Sequence, residues 1–534
     1  MMASGMGGSR RWWAVAALVL AALVVGIDAT VLSLALPTLA TALHASTADL
    51  QWFVAAYTLV FAAAMIPGGM LGDRYGRKKL LLIALVIFGA SSLACAYSPS
   101  PGAFIAARAF LGLGGAVMVP MILGVLPVLF SAEERAKAVA IVMAATMMGY
   151  PIGPILGGWL LTNYWWGSVF LINVPVVLIA LIAVVAWLPE SRAGERPRLD
   201  PVGIVASSGG LAVLLYGVIQ AGQYGWGAGS AVVCFIVSAV VLAAFVLWER
   251  RARDPLVDLG LFRSASFSWG TILMTTVSFA MFGVLFAAPQ YTQAILGKDA
   301  FGSGLRLLPM VGGLLAGAGL ATRLAGRAGR KVIVGLGFGL LAAGLFAGAT
   351  TSVTSGEALL ATWIAVCGFG LGFAMPTAMD VALSALSPES SGVGSALLQA
   401  IRMVGGSFGA AILGSVLNGG YRGRLDLAGL PSAAASSVKE SVFAGIAVAH
   451  KLGSAALLES VRAAFVHGMS MMLLVSGSVA VAGVVLALVF LPRRAGAAEA
   501  ATKEREAAPA PGAGTIATLE AVATERVESD HGIA

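Results

Sequence analysis

GGMLGDRYGRKKLL (Gly68–Leu81) and ATRLAGRAGRKVIV (Ala321–Val334) are two copies of one turn. Leu71, Arg74, Gly76, Arg77 and Lys78 of the first fall on Leu324, Arg327, Gly329, Arg330 and Lys331 of the second, whereas Asp73 falls on Gly326. Five charges occupy the eight positions from Gly72 to Lys79, in a chain that is 59% hydrophobic and only 11% charged. Each copy joins the end of one apolar run to the start of the next. The chain therefore reads as two related halves with the same turn at the same place in both.

On either side of these turns, apolar runs of membrane-crossing length recur from end to end. A hydrocarbon layer of about 30 Å is crossed by roughly 20 helical residues, and no irregular backbone can face lipid unpaired. The runs thus predict spans near 12–36, 50–70, 79–97, 103–129, 137–161, 168–188, 201–221, 230–248, 267–289, 303–321, 331–350, 358–383, 393–417 and 469–491. Each repeated turn closes the second span of a group of six. The expected fold class is an all-α polytopic membrane protein with 14 transmembrane helices arranged 6+2+6. The basic, apolar start SRRWWAVAALVLAALVVG is too long for a signal-peptide core and reads as the first span. Cys95, Cys234 and Cys367 fall in separate apolar runs, where they pack as small soft side chains and imply neither a disulfide nor a metal.

Orientation follows from the cations, because short loops rich in Lys and Arg stay on the cytoplasmic side. Alternate segments hold Arg10 and Arg11; Arg74, Arg77, Lys78 and Lys79; Arg135 and Lys137; Arg192, Arg196 and Arg198; Arg250, Arg251, Arg253 and Arg263; and Arg323, Arg327, Arg330 and Lys331. The opposite short loops hold Lys298 alone. Both termini are expected in the cytoplasm of a multi-pass cell-membrane protein. The net charge of +8 then reflects this bias and gives no argument for nucleic-acid binding. The expected organisation is a cytoplasmic N-terminus (1–11), a first six-helix bundle (12–188), a linker (189–200), two extra helices (201–248), a cytoplasmic loop (249–266), a second six-helix bundle (267–492) with a long outer loop (418–467), and a flexible tail (493–534).

Ionised groups inside a span are costly, so each one is a candidate for function. Asp28 and Arg108 lie at one depth in spans one and four. Beside a cation in an apolar cavity, an acid can take and release a proton as water access changes; a permanent ion pair, or an Asp capping a helix break, is the other reading. For Asp380, near the inner end of span 12, three uses are open: attraction of a cationic substrate, a structural pair with Arg402 of span 13, or carriage of a proton. The loop Gly72–Lys79 has two readings as well. It is a cytosolic turn held by positive charge, or Asp73 meets the free N–H groups at the start of span 13 and latches the two bundles together. Gly149, Gly153, Gly157 and Gly158, with Pro154 among them, suit close helix packing in span five.

These residues carry a resemblance. GMLGDRYGRKK is similar to the loop between the second and third helices of the major facilitator superfamily, and GIDATVLSLALP, LQWFVAAYTL, RAFLGLGGAVMVP and GYPIGPILGG resemble stretches of its fourteen-span drug:proton antiporter branch. The resemblance implies a conformational latch at Gly69, Gly72, Asp73, Arg74, Gly76, Arg77 and Lys78 that favours the outward-facing state, with Glu133 and Glu134 as candidate partners of Arg77. It assigns Asp28 and Arg108 to proton coupling and Gly149, Gly153, Pro154, Gly157 and Gly158 to the antiporter motif. Leu111 departs from the Gln that the branch often carries before the glycine.

No phosphate-binding Gly-rich loop, catalytic triad or metal-ligand spacing occurs, and all four histidines lie outside the spans. The expectation is therefore no enzyme and no cofactor, with protons as the coupling ion. The expected function is proton-coupled efflux of hydrophobic or cationic drugs by a monomer in the bilayer. A lipid or metabolite exporter or importer is the near alternative, and a polytopic sensor or enzyme the distant one.

Overall fold

The computed structural model describes residues 8–130, 132–191, 200–252, 259–384 and 391–492, and among them the chain is helical with no strand. The first bundle holds α1 (Gly8–Ala42), α2 (Thr47–Tyr75), α3 (Arg77–Ala96), α4 (Pro101–Leu129), α5 (Ala132–Asn163) and a sixth span broken into α6 (Ser168–Leu171) and α7 (Asn173–Trp187). Then come α8 (Pro201–Tyr224) and α9 (Gly229–Glu249). The second bundle holds α10 (Ala265–Ala294), α11 (Ala300–Ala328), α12 (Arg330–Ala349), α13 (Glu357–Leu383), α14 (Ser391–Arg424) and, after the short helices α15 (Ser432–Glu440) and α16 (Val442–Leu452), α17 (Ala455–Phe490). Among the described residues 13 helices are long and apolar enough to cross a membrane. With α5, which occupies the place of the fifth expected span, they match the 14 read from the sequence.

Each bundle closes around its own apolar core. Phe53, Phe88, Phe104 and Phe170 are fully buried in the first, and Phe338, Trp363 and Phe465 in the second. The face on which α1 begins carries the repeated turns and is called here the basic face; α1 ends at the far face.

The two copies of the turn do the same work. Gly76 (φ +116°) and Gly329 (φ +80°) reverse the chain between α2 and α3 and between α11 and α12, in a backbone region that a side chain strongly disfavours. Arg77 then donates to the Gly124 carbonyl of α4 at 2.6 Å, and Arg330 reaches Asp380 at 3.0 Å on α13, the corresponding fourth helix of its bundle. Lys78 Nζ donates to the Val185 carbonyl (2.9 Å) and Lys331 Nζ to the Val489 carbonyl (3.3 Å), each in the last turn of its bundle's sixth span. A cation there also meets the negative end of the helix dipole. The repeated Gly-Arg-Lys is thus a brace that ties the second and third helices of each bundle to the fourth and sixth.

The first copy has an added cap. The Glu190 carboxylate accepts from Lys78 N (3.1 Å) and Lys79 N (3.3 Å), and Arg77 N donates to the Ser191 carbonyl (2.9 Å), so the chain leaving α7 satisfies the first turn of α3. A Cβ at Gly76 would stand 2.7 Å from Glu190 Oε1, whereas none of the described atoms lies within 4 Å of one at Gly329. Gly76→Ala is expected to lower thermal stability more than Gly329→Ala, by about 1 kcal/mol for the displaced cap; equal melting temperatures would show that the cap contributes nothing.

The segment 418–467, expected as a long outer loop, is largely helical. α14 runs on to Arg424, α17 starts at Ala455, and α15 and α16 form a hairpin between them. Val438, Val442 and Ala449 are buried in the second core, and Tyr421 Oη donates to the Val438 carbonyl at 2.8 Å. These helices are 9 and 11 residues long, too short to cross a membrane. The extra pair also has a defined seat: Leu215, Val218 and Ile219 of α8 are buried against Ala48, Ala55 and Leu59 of α2 and Ala411 of α14, while α9 packs on α8.

Candidate functional site

Between the bundles lies a cavity of about 1330 Å³, counting its open mouth, built by α1, α2 and α4 from one side and α10, α13 and α14 from the other. Its wall is mostly apolar, with Tyr57, Phe61, Phe282 and Phe286 as ring surfaces and five methionines: Met65, Met281, Met375, Met379 and Met403. Methionine is unbranched and polarisable, so such a wall adapts to many shapes. The polar groups are few: Ser33, Thr58, Gln399, Arg108 and Arg402.

On the far-face side the bundles meet in two seams. Along α2 and α14, Gln51 Nε2 donates to the Ala411 carbonyl and to Ser415 Oγ, both at 3.4 Å, and the Thr58 and Ser407 hydroxyls share a short hydrogen bond. Along α5 and α11, Thr162 Oγ1 accepts from Phe301 N at 3.1 Å and donates to the Asp299 carboxylate at 3.3 Å. Gln293 Nε2 adds a bond to the Leu34 carbonyl, and Thr47 Oγ1 one to the Glu440 carbonyl that precedes α16. These contacts belong to the half of the helices nearer the far face, except that Ser407 stands at the middle of α14. The bundles are therefore closed toward that face.

The glycines of the fifth span build one wall of this arrangement. A Cβ at Gly149 would stand 2.5 Å from the Gly26 backbone, one at Gly153 would stand 2.2 Å from Thr30 Oγ1, and one at Gly157 would strike Val31, so α5 lies directly on α1. Gly158 faces the other way: its Cβ would be 2.8 Å from Phe301 Cα, while Gly304 of α11 approaches the Pro154 carbonyl. The single stretch thus packs one helix of its own bundle and one of the opposite bundle. Gly72 serves α2 in the same manner, since a Cβ there would strike Met121 of α4, whereas one at Gly69 would meet Pro120 only at an ordinary contact distance of 3.5 Å.

Asp28 and Arg108 are brought together. Arg108 Nη1 donates to Asp28 Oδ2 at 2.9 Å and Oδ1 at 3.1 Å, its Nε donates to the Phe53 carbonyl at 3.1 Å, and its guanidinium lies 4.4 Å from the centre of the Tyr57 ring. Asp28 is 0% exposed and Arg108 2%, and Arg108 forms part of the cavity wall with Asp28 behind it. A charge pair so deeply buried is held by hydrogen bonds on both members.

Asp380 and Arg402 are not brought together. Asp380 pairs with Arg330 at the basic face, with 59% of its side chain exposed, and does not line the cavity. The reason is the brace: Arg330, fixed by the turn at Gly329, reaches the end of α13 first. Arg402 is 6% exposed and lines the cavity, where its Nε donates to Gln399 Oε1 at 2.9 Å. Of the proposed partners of Arg77, Glu134 lies 4.0 Å from Arg11, and the side chain of Glu133 lies outside the described residues. The Asp73 side chain and residues 385–390 before α14 also lie outside them, and with them the expected latch. Arg74 stacks on the neighbouring Tyr75 ring at 5.5 Å. Gln399, Thr58, Ser407 and the methionines were not singled out from the sequence, and no spacing distinguishes them there.

The description "Major Facilitator Superfamily" fits a family model that matches residues 18–410. The chain is 34% identical over 498 residues, covering 91% of it and 92% of the relative, to the tetracenomycin C resistance and export protein of Streptomyces glaucescens. It is 33% identical, over 86% of its length and 92% of the relative's, to the multidrug efflux pump LfrA of Mycolicibacterium smegmatis. Among solved structures it resembles a bacterial homolog of the human lysosomal transporter Spinster, with a TM-score of 0.67 at 16% identity, over 92% of this chain and 99% of that one.

Proposed function

The chain belongs to the major facilitator superfamily and is a multi-pass membrane transporter of that fold, and from this premise we propose that it exports drug-like or antibiotic small molecules in exchange for protons. One observation carries the reading: a largely apolar cavity, closed toward the far face, has a buried acid–base pair, Asp28 and Arg108, in and behind its wall. The basic face is taken as cytoplasmic, since Lys and Arg collect there. The described state is then open to the cell interior, and substrate enters from that side.

Opening the far-face seams would bring external water to the pair. A proton taken up by Asp28 there removes the charge that holds Arg108. Release of that proton inside, after the bundles rock back, restores the pair and readies the cavity for the next molecule. Direction rests on the relatives, which are an export protein and an efflux pump by name. No resident cofactor enters this cycle; the proton is its coupling ion.

Cells expressing the protein are expected to keep a fluorescent aromatic dye at least several-fold lower than cells without it, and a protonophore is expected to abolish the difference. Dye exclusion that survives the protonophore would end proton coupling. Higher accumulation in expressing cells would establish import.

A further inference from the structure

The charges that face the cavity do not suit a positive guest. Among the described residues no carboxylate lines it; its two ionised wall residues are Arg108 and Arg402. Asp28 balances Arg108 through two hydrogen bonds, so that pair contributes little net charge. Arg402 is left. Among the described residues its guanidinium has one partner, the uncharged Gln399 three positions earlier on α14, and that bond uses only Nε. Both Nη groups remain as donors on a side chain 6% exposed. The one acid expected nearby, Asp380, is held at the basic face by Arg330.

A buried cation without a counter-ion is costly, and the cost is relieved by an anion that enters its site. A guanidinium presents two parallel N–H donors that match a carboxylate or a phenolate-like oxygen pair. Around it stand ring faces, Phe61, Phe282 and Phe286, and the flexible methionines Met375, Met379 and Met403. We propose that Arg402 is the specificity-determining residue of this cavity and selects flat, apolar ring compounds that carry an acidic oxygen. Gln399 holds the guanidinium and offers its own amide N–H groups beside it. This departs from the cationic part of the hydrophobic or cationic substrate range expected from the sequence, and it rests on the transport reading above. Arg402 lies about 16 Å along α14 from the basic-face end, whereas Arg108 lies about 10 Å along α4 from the far face, at about 1.5 Å per residue. Substrate anion and coupling proton therefore use different groups.

The test uses two dyes of one xanthene skeleton and opposite charge, fluorescein and a rhodamine. Their binding to the purified full-length protein in phosphatidylcholine vesicles is read by fluorescence polarisation, separately from efflux in cells. The wild type is expected to bind fluorescein more tightly than rhodamine. Arg402→Gln is expected to weaken fluorescein by about ten- to a hundredfold, as for loss of a charged hydrogen-bond partner, and to tighten rhodamine. Arg402→Lys keeps the charge but not the paired N–H donors, so it is expected to bind fluorescein severalfold more weakly than the wild type while still preferring it to rhodamine; unchanged fluorescein binding in this variant overturns the proposal even if the Gln variant fails to fold. Rhodamine binding as tight as fluorescein in the wild type, or parallel loss of both dyes in a folded Gln variant, overturns the proposal. Displacement of fluorescein by added phosphatidylglycerol would reassign Arg402 to a lipid headgroup and overturn it too. Tight, Arg402-dependent fluorescein binding without efflux would uphold the site while removing the export reading.

Discussion

Asp28→Asn is expected to abolish proton-coupled transport and to lower stability by about 3–5 kcal/mol, the usual cost of stranding one member of a buried ion pair. The substitution leaves Arg108, 2% exposed, with the Phe53 carbonyl and the Tyr57 ring but without a counter-charge. The double substitution Asp28→Asn with Arg108→Gln removes both charges, and most of the lost stability is expected to return. Transport is not. This contrast separates the two readings of the pair: a purely structural pair predicts that stability and coupled transport recover together, whereas a proton-carrying pair predicts that only stability does. Thermal unfolding in detergent measures the first quantity, and dye movement driven by an imposed pH difference in proteoliposomes measures the second. Coupled transport at the wild-type rate in the double variant would remove Asp28 from the mechanism.

Gly304→Val is expected to hold the transporter open toward the far face and to cut transport at least tenfold. A Cβ at Gly304 would stand 2.4 Å from the Pro154 carbonyl oxygen and 3.3 Å from Leu34 Cδ2, and both neighbours belong to the opposite bundle. The clash therefore falls on the seam between α5 and α11, its shortest contact being with a backbone carbonyl of the opposite bundle. A difference of about 5.5 kcal/mol turns a 1:99 equilibrium into 99:1, and contact between a side chain and a fixed backbone carbonyl can supply several kcal/mol of that. The readout is a cysteine placed at Ser33, on the cavity wall, in a background where Cys95, Cys234 and Cys367 are alanine. A membrane-impermeant maleimide added at the far face is expected to label it about tenfold faster in Gly304→Val than in the parent. If labelling does not change, the α5–α11 seam is not a gate.

The repeated turn shows how far sequence reading reaches. Its glycines and its likeness between halves are visible in the residues alone, because a reversal with φ of +116° or +80° calls for glycine wherever it occurs. The destination of its cations is not visible. Lys78 ends on Val185, Lys331 on Val489 and Arg330 on Asp380, partners chosen by how helices distant in sequence lie side by side. Asp380 in particular reads as an acid inside a span, yet α13 carries it to the basic face and into the brace. The hairpin α15–α16 was hidden for another reason: its apolar positions are spaced for two short helices docked on a core, and a test for membrane spans passes over them.

By itself the sequence determined the medium, the helices and the twofold plan, because hydropathy is a local property that a window of about 20 residues contains in full. It also placed Asp28 and Arg108 at one depth, since depth follows from counting along a helix. The tertiary structure alone decided which charges meet, which face the cavity and which side of the molecule is closed. Those outcomes depend on the rotation and tilt of each helix against its neighbours, where a turn of 100° per residue moves a side chain from a neighbouring helix to the cavity or the lipid without changing the composition of the span.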